Sequence, residues 1–147
     1  MSIYLLDTSI LSELAPGRRG LPPPWLVELG RSPGGTRLSV ISLIEIEGGI
    51  SKLRRAGAEQ RASSLEDWLK ELLSEFGADI ILVDRELARA VGRLSDRAVS
   101  IGRHPGLADI AIGATAQAHG LSLLTRNLRH FAPLGITAVD PFASLPP

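Results

Sequence analysis

Short apolar runs, separated by polar and glycine-rich segments, divide the chain into candidate strands. The runs are apolar at almost every position rather than alternating, which is typical of parallel strands buried on both faces of a sheet. The pattern predicts strands at Ile3–Leu6, Arg37–Ile41, Ile80–Val83, Ser122–Leu124 and Thr137–Val139. We therefore expect a sheet that is covered on both sides.

Helical periodicity fills most of the intervening segments. The clearest helix is Glu59–Phe76, where apolar residues recur at the spacing of one helix face. Further helices are predicted at Ser9–Leu14, at Trp25–Leu29, at Ser42–Ala56, from a cap at Asp84 to about Ile101, and at Leu107–His119. Because strands and helices alternate, the sequence predicts one α/β domain over residues 1–147, with a mostly parallel sheet.

Composition narrows the classes of protein. The chain has 147 residues, and 16 Lys and Arg balance 16 Asp and Glu, so its formal net charge is zero. With no net positive charge, the protein has no overall electrostatic potential that attracts nucleic acid. Any binding of anions must therefore come from local patches of basic residues. Cysteine is absent, which excludes disulfide scaffolds, thiol nucleophiles and Cys-ligated metals. Charged and polar residues interrupt every long apolar stretch, so we expect no membrane span and a cytoplasmic location.

Two carboxylates stand at predicted element ends. Asp7 directly follows the first strand, where it is either the N-cap of the next helix or a site residue. Glu45 lies three residues after Ser42, which is the spacing of a capping box at a helix start. Glu47 points about 200° away from Glu45 around the helix, so these two do not form a carboxylate pair. Taken singly, Asp7 and Glu45 each keep a structural explanation beside a functional one.

A third acid, Asp109, opens a helix that is small or apolar nearly all round, as buried helices are. An acid in such a helix needs a partner or a cation, although it also suits the helix dipole. Asp7, Glu45 and Asp109 are thus three acids at element ends around a parallel sheet, where they repel one another. A divalent cation would relieve that repulsion, and carboxylate oxygens with retained water suit Mg²⁺ or Mn²⁺.

Four blocks of the chain resemble PIN-domain ribonucleases, specifically the VapC toxins of bacterial type II toxin–antitoxin pairs and the similar FitB proteins. The blocks are LLDTSILSE at 5–13, LSVISLIEIEGGI at 38–50, ADIAIGATA at 108–116 and LSLLTRN at 121–127. Each block alone is a weak signal, but all four in this order span nearly the whole chain. The resemblance implies a PIN-like three-layer α/β/α fold with a mostly parallel central sheet.

The resemblance also implies which residues carry the chemistry. The family's acidic positions fall on Asp7, Glu45 and Asp109, and not on Glu47, so the first three are the expected catalytic acids and metal ligands. A fourth catalytic position, often Asp in the family, is Asn127 here. Asn keeps an oxygen ligand and a hydrogen-bond donor but brings no negative charge, so three formal charges stand where the strict pattern has four.

The activity implied by the resemblance is hydrolysis of RNA phosphodiester bonds with Mg²⁺ or Mn²⁺ as cofactor. The expected substrate-binding residues, which would position a water molecule or the phosphate, are Thr8, Ser9, Thr125 and Arg126. The implied partners are RNA and a VapB-like antitoxin. The implied assembly is a homodimer that joins a larger toxin–antitoxin complex.

Two other functions stay open on the sequence. The chain could be a catalytically weak PIN module that acts mainly through antitoxin or nucleic-acid binding, although the three acids argue against it. A ribonuclease that uses histidines without metal would need the three histidines of the chain to converge. These are His104, His119 and His130.

Arginines recur every four residues along the helix predicted after Asp84. They form a slowly winding stripe, because each step of four residues advances about 40° around a helix. The stripe is either a solvated face or a surface that contacts phosphates or an acidic partner. Its members are Arg85, Arg89, Arg93 and Arg97.

Overall fold

A computed structural model describes residues 3–17, 24–31 and 34–143 of the chain. The strands in these ranges are β1 Tyr4–Leu6, β2 Thr36–Ser39, β3 Ile80–Ile81, β4 Ser122–Leu124 and β5 Ala138–Val139. The α-helices are α1 Thr8–Leu11, α2 Pro24–Arg31, α3 Val40–Arg55, α4 Glu59–Phe76, α5 Arg85–Ser100, α6 Leu107–Ala118 and α7 Leu128–Phe131. Single 3-10 turns, Ser12–Leu14, Gly77–Asp79 and Ala132–Leu134, directly follow α1, α4 and α7.

The strands form one parallel sheet in the order β3-β2-β1-β4-β5. The chain first winds outwards from β1 through β2 to β3, and then crosses to the other side of β1 to build β4 and β5. The winding direction therefore changes between β1 and β4, and open parallel sheets place their sites at the carboxyl ends of strands at such a point. Asp7 follows β1 there, and Thr125 follows β4.

Two apolar clusters sandwich the sheet, one on each face. Consecutive β1 residues point to opposite faces, so Leu5 packs with the helices α5, α6 and α7, whereas Leu6 packs with α1 to α4. The neighbouring strand β4 divides in the same way between Leu123 and Leu124. This arrangement confirms the predicted three-layer α/β/α fold with a parallel central sheet.

Helix α6 lies deep in one of these clusters and needs a glycine to do so. A Cβ atom added at Gly113 would lie 2.5 Å from Ile136 Cδ1 and 3.2 Å from Phe131 Cδ1. Both distances are shorter than ordinary side-chain contacts, so the small residue allows α6 to approach α7 closely. This approach holds Asp109, in the first turn of α6, beside the residues of α7.

The predicted boundary between β2 and α3 is wrong. The strand ends at Ser39 and the helix begins at the next residue, because Ser39 Oγ accepts a hydrogen bond from Ile41 N at 3.0 Å and caps the helix. The two β-branched residues after Ser39 resemble strand residues in sequence, but the cap and the packing of α3 override that preference. Ser42 lies inside the helix, so its predicted capping box with Glu45 does not form.

The remaining predicted elements are present with small shifts at their ends. Strand β3 is two residues shorter than predicted, and helix α7 was not predicted because four residues are too few to show a helical period. Residues 1–2, 18–23, 32–33 and 144–147 of the predicted domain lie outside the described ranges. No described helix combines the length and the apolar character that crossing a lipid bilayer requires.

Candidate active site

Polar side chains shielded from water gather at the carboxyl ends of β1 and β4. Asp7 N donates to Leu124 O at 2.9 Å. The hydrogen bonding between β1 and β4 therefore continues one residue beyond the end of β1. Thr125, the residue after β4, is fully buried, and Asp7 is only 2% exposed. The register of two neighbouring parallel strands therefore brings together residues that are 118 positions apart in the chain.

Asp7 accepts hydrogen bonds from three neutral donors. Its Oδ1 atom accepts from Thr8 N at 2.9 Å, which is the N-cap contact of α1. Its Oδ2 atom accepts from the hydroxyl groups of Ser9 at 2.8 Å and Thr125 at 2.7 Å. Within the described ranges, no Lys, Arg or His nitrogen forms an ion pair with Asp7. The N-cap interpretation is thus confirmed for one carboxylate oxygen, while the other oxygen belongs to a separate network.

Burial raises the pKa of Asp7 above its ordinary value, because a carboxylate loses hydration inside the protein. The hydrogen bonds from Thr125 and Ser9 lower this pKa, and the negative charge of Asp109 raises it. Asp109 is therefore close enough for the two carboxylates to repel. A proton or a cation between them would relieve both the burial cost and the repulsion.

The two hydroxyl groups that hold Asp7 are themselves oriented by backbone donors. Ser9 Oγ accepts from Arg126 N at 3.1 Å, and Thr125 Oγ1 accepts from Asn127 N at 3.0 Å. Because these bonds occupy a lone pair on each hydroxyl, the hydroxyl protons are directed at the Asp7 carboxylate. Ser9 and Thr125, predicted as substrate-binding residues, orient a carboxylate in this structure.

Glu45 joins the site from α3 through Thr8. Thr8 Oγ1 donates to Glu45 Oε1 at 2.7 Å, and Ser42 Oγ lies 2.8 Å from Thr8 Oγ1. Since an ionised carboxylate has no proton to give, the Thr8 hydroxyl proton goes to Glu45 and Ser42 donates to Thr8. The sequence predicted Ser42 at the helix start and did not predict its hydrogen bond to Thr8. The available signal was the spacing, because helix residues three apart share one face.

Asp109 is held by an imidazole instead of by hydroxyl groups. Its Oδ2 atom lies 2.5 Å from Nδ1 of His130 on α7, and both side chains are partly exposed. The sequence did not predict this contact, since it depends on how α6 packs against α7. His119 lies at the other end of α6, about 15 Å from Asp109 by helical rise, so the three histidines do not converge.

Asn127 and Arg126 differ in how their side chains are engaged. The Asn127 side chain makes no hydrogen bond to the described residues, although its backbone N–H ties it to Thr125 and hence to Asp7. The Arg126 guanidinium donates to Glu13 Oε1 at 3.0 Å and lies over the Phe142 ring, 4.4 Å from its centroid. Asn127 is therefore available to a ligand, whereas Arg126 is already engaged at the rim.

Glu47 faces a different groove from Glu45. Glu47 lines an apolar groove between α3 and α4 with Leu43 and Leu73, whereas Glu45 lines the groove next to Thr8. The prediction that the two glutamates do not form a carboxylate pair is confirmed.

The donor set suits a hard divalent cation, although the acids are not gathered into one cage. Among the described residues, no three Asp, Glu or His side chains converge tightly enough to form a metal centre. Asp7 and Asp109 repel each other, while Glu45 contacts Thr8. The donors offered by these acids are carboxylate oxygens, the ligand type that Mg²⁺ and Mn²⁺ prefer. The metal site of Asp7, Glu45 and Asp109 therefore fits by chemistry and stays a prediction.

The chain thus has a parallel sheet with a buried acid, Asp7, directly after its central strand. The chain belongs to the PIN domain family, which matches it over residues 4–134. Among its relatives, the VapC ribonuclease Y4jK of Sinorhizobium fredii is 28% identical over 144 residues, covering 95% of this chain and 98% of that protein. The VapC-like character predicted from the four sequence blocks is confirmed.

Solved structures of other proteins have a similar fold. The crystal structure of FitAcB from Neisseria gonorrhoeae matches with a TM-score of 0.81 at 25% identity, covering 97% of this chain and 100% of that one. A toxin–antitoxin complex from Klebsiella pneumoniae matches with a TM-score of 0.62 at 29% identity, covering 94% of this chain and 97% of that one. Both similarities extend over nearly the full described fold.

Proposed function

We propose that this chain is a Mg²⁺- or Mn²⁺-dependent endoribonuclease and the toxin of a toxin–antitoxin pair. The observation that carries the proposal is Asp7, a buried carboxylate at the winding change of the sheet that is held by neutral donors. Such a charge needs a counter-charge, and Asp109 adds a second negative charge beside it. The ribonuclease name of the Sinorhizobium fredii relative supports RNA as the substrate.

The ion would be held by the three acids, Asp7, Glu45 and Asp109. A bound divalent cation supplies Lewis-acid stabilisation of phosphate charge and makes a water molecule more acidic. Ser9 and Thr125 keep the Asp7 carboxylate in one orientation. Thr8 holds Glu45 Oε1, while Oε2 has no hydrogen bond among the described residues. That oxygen is available to bind the ion or to accept a proton from the attacking water.

Asn127 would contact the substrate directly. Its side-chain amide is unengaged in the described structure and lies one residue beyond Arg126 at the carboxyl end of β4. The amide would donate a hydrogen bond to a phosphate oxygen or hold the attacking water. Arg126 would reach RNA only by exchanging its contact with Glu13 for one with a phosphate.

An antitoxin partner is supported by the Klebsiella pneumoniae relative, which is a toxin–antitoxin complex. The groove between α3 and α4 offers apolar surface to a protein partner, with Ile44 64% and Leu73 44% exposed. We expect a VapB-like antitoxin to inhibit the enzyme, and a homodimer to join the larger complex. We expect the protein to act in the cytoplasm.

The test is cleavage of RNA by the purified chain in Mg²⁺, in Mn²⁺ and in EDTA. We expect cleavage only with a divalent ion, and we expect Asp109→Ala to reduce it to background while helix content and melting stay close to wild type. Mapping new 5′ ends in cellular RNA after brief expression, against Asp7→Ala, identifies the target. RNA binding without cleavage would instead show a binding module, and an unfolded Asp109→Ala protein would give Asp109 a structural role.

A further inference from the structure

A basic cleft opens beside the Asp109–His130 pair. It has a volume of about 190 Å³, and its lining residues are Arg103, His104, Pro105, Arg129 and His130. Two separate segments form it, the connection between α5 and α6 and the helix α7. Because His130 lines the cleft and also contacts Asp109 Oδ2, the cleft lies next to a predicted catalytic acid.

The end of α5 directs Arg103 into this cleft. Gly102 has a left-handed φ of 74°, and Arg103 N donates to Ala98 O at 2.8 Å, which is a glycine-terminated helix end. The chain therefore turns sharply away from α5 at this point. After Pro105, Gly106 is the N-cap of α6 and provides no side-chain cap.

The two cleft arginines carry charge that the described structure leaves unpaired. Arg37, Arg54 and Arg126 each pair with a carboxylate. By contrast, no described Asp or Glu side chain forms an ion pair with Arg103 or Arg129. A guanidinium group presents a planar fork of N–H donors that matches phosphate oxygens, and unpaired forks facing one cleft are suited to a single anionic group.

We propose that this basic cleft binds a phosphodiester of the RNA strand adjacent to the one that is cut. The inference rests on the proposed ribonuclease function and adds a specific substrate contact to it. An acidic peptide is less favoured, because protein partners need apolar anchors and Pro105 is the only apolar side chain among the described residues that line the cleft. Because His130 lines the cleft and also contacts Asp109 Oδ2, a phosphate held here would bring the adjoining part of the strand close to Asp109.

Binding of short single-stranded RNA that contains the mapped cleavage site tests this inference. The measurements use the cleavage-deficient Asp7→Asn protein, with Arg103→Ala or Arg129→Ala added. The matched control is Arg55→Ala, an exposed arginine on α3 across the sheet. Each cleft substitution should weaken binding about tenfold or more, as loss of a charge-assisted hydrogen bond does. The slope of log Kd against log salt should become shallower by about 0.7.

A chemical substitution in the RNA locates the contact. Neutral methylphosphonate linkages replace one phosphate at a time, and one position next to the cut should weaken binding to the parent protein. At that position Arg129→Ala should cause little additional loss, because two changes that remove one contact are not additive. Arg129→Lys should retain part of the affinity, since it keeps the charge but loses the planar fork.

The outcomes separate this inference from the proposed function. If the wild-type chain cleaves RNA but both alanine variants keep the affinity and salt slope of their parent, the basic cleft is not a phosphate site and the ribonuclease proposal stands. Loss of antitoxin binding with unchanged RNA binding would likewise overturn the inference in favour of an acidic protein segment. If the wild-type chain neither binds nor cleaves RNA, the proposed function itself is wrong.

Discussion

Two aspartates in this protein follow a strand and cap the next helix, yet they stand in different surroundings. Asp7 follows β1 and accepts from Thr8 N, whereas Asp84 follows β3 and accepts from Leu87 N at 2.8 Å. Asp7 is buried and Asp84 is exposed. Strand β1 is the middle strand of the sheet, while β3 is at its edge.

The comparison shows what turns a helix cap into a candidate catalytic acid. The middle strand has a neighbour on each side, so β4 brings Thr125 to Asp7, and α3 brings Glu45 to the adjacent Thr8. The edge strand β3 pairs with β2 on one side only, and Asp84 accepts only its cap hydrogen bond among the described residues. Position in the sheet, rather than local sequence, separates the two aspartates.

The largest expected effect is on catalysis. Asp7→Ala should abolish RNA cleavage, because it removes the buried carboxylate that we propose as a metal ligand. Asp84→Ala should cleave at the wild-type rate and lose about 1 kcal/mol of stability, the ordinary cost of an N-cap. Single-turnover cleavage and urea unfolding of both variants check this. Equal loss of activity in the two variants would remove the distinction between the aspartates.

Binding of Mn²⁺ should separate the two aspartates next. An ion that binds only the folded protein stabilises it, by about 2.7 kcal/mol at a hundred times its Kd. We expect Mn²⁺ to raise the melting temperature of wild type and of Asp84→Ala, and to leave that of Asp7→Ala unchanged. Thermal melting with and without Mn²⁺ gives the answer. An equal shift in all three proteins would place the ion away from Asp7.

Substitutions of Asn127 test whether an additional negative charge at the site strengthens metal binding. Asn127→Asp should tighten Mn²⁺ binding by at least about 1 kcal/mol, since unit charges about 4 Å apart interact by that much even in bulk water. Asn127→Ala should lower cleavage less than Asp7→Ala does, because Asn127 contributes no charge. Calorimetric titration of Mn²⁺ compares the variants with wild type. If Asn127→Asp binds no tighter, its side chain does not face the ion.

The smallest expected effect is a pH dependence of stability in EDTA. Burial raises the pKa of Asp7, so the folded protein binds this proton more tightly than the unfolded chain does. Its contribution to stability therefore falls as pH rises from the ordinary aspartate value of 3.8 through the higher folded-state pKa. Asp7→Asn should remove this fall and Asp84→Asn should keep it, as urea unfolding from about pH 4 to about pH 7 measures.

Glu66 should change stability with pH in the opposite direction to Asp7, because its pKa is lowered instead of raised. A hydrogen bond from Arg54 lowers the pKa of Glu66, so its stabilising contribution is present above the unfolded pKa and is lost as pH falls through the folded one. Because this ion pair is exposed, its effect should be small and should weaken with added salt. Glu66→Gln should leave the Asp7-dependent change intact.

Local patterns in the sequence were sufficient for the class of fold and for the family. Apolar runs and helical periods predicted an α/β domain. Strands of a parallel sheet that is buried on both faces are apolar at nearly every position, and this pattern is visible in the sequence. Asp7 and Thr125 could be placed at one edge because each directly follows a strand, and parallel strands end on the same side. The four sequence blocks predicted the PIN family without reference to packing.

Packing alone decided which groups touch. The contact between Asp109 and His130 depends on the close approach that Gly113 permits between α6 and α7, and no local pattern records a distance between helices. Ser42 and Ser39 are both serines near one helix start, and only the folded chain shows which caps the helix and which joins Thr8. Hydrogen bonds are short-ranged and directional, so side-chain partners follow from three-dimensional placement that sequence spacing does not contain.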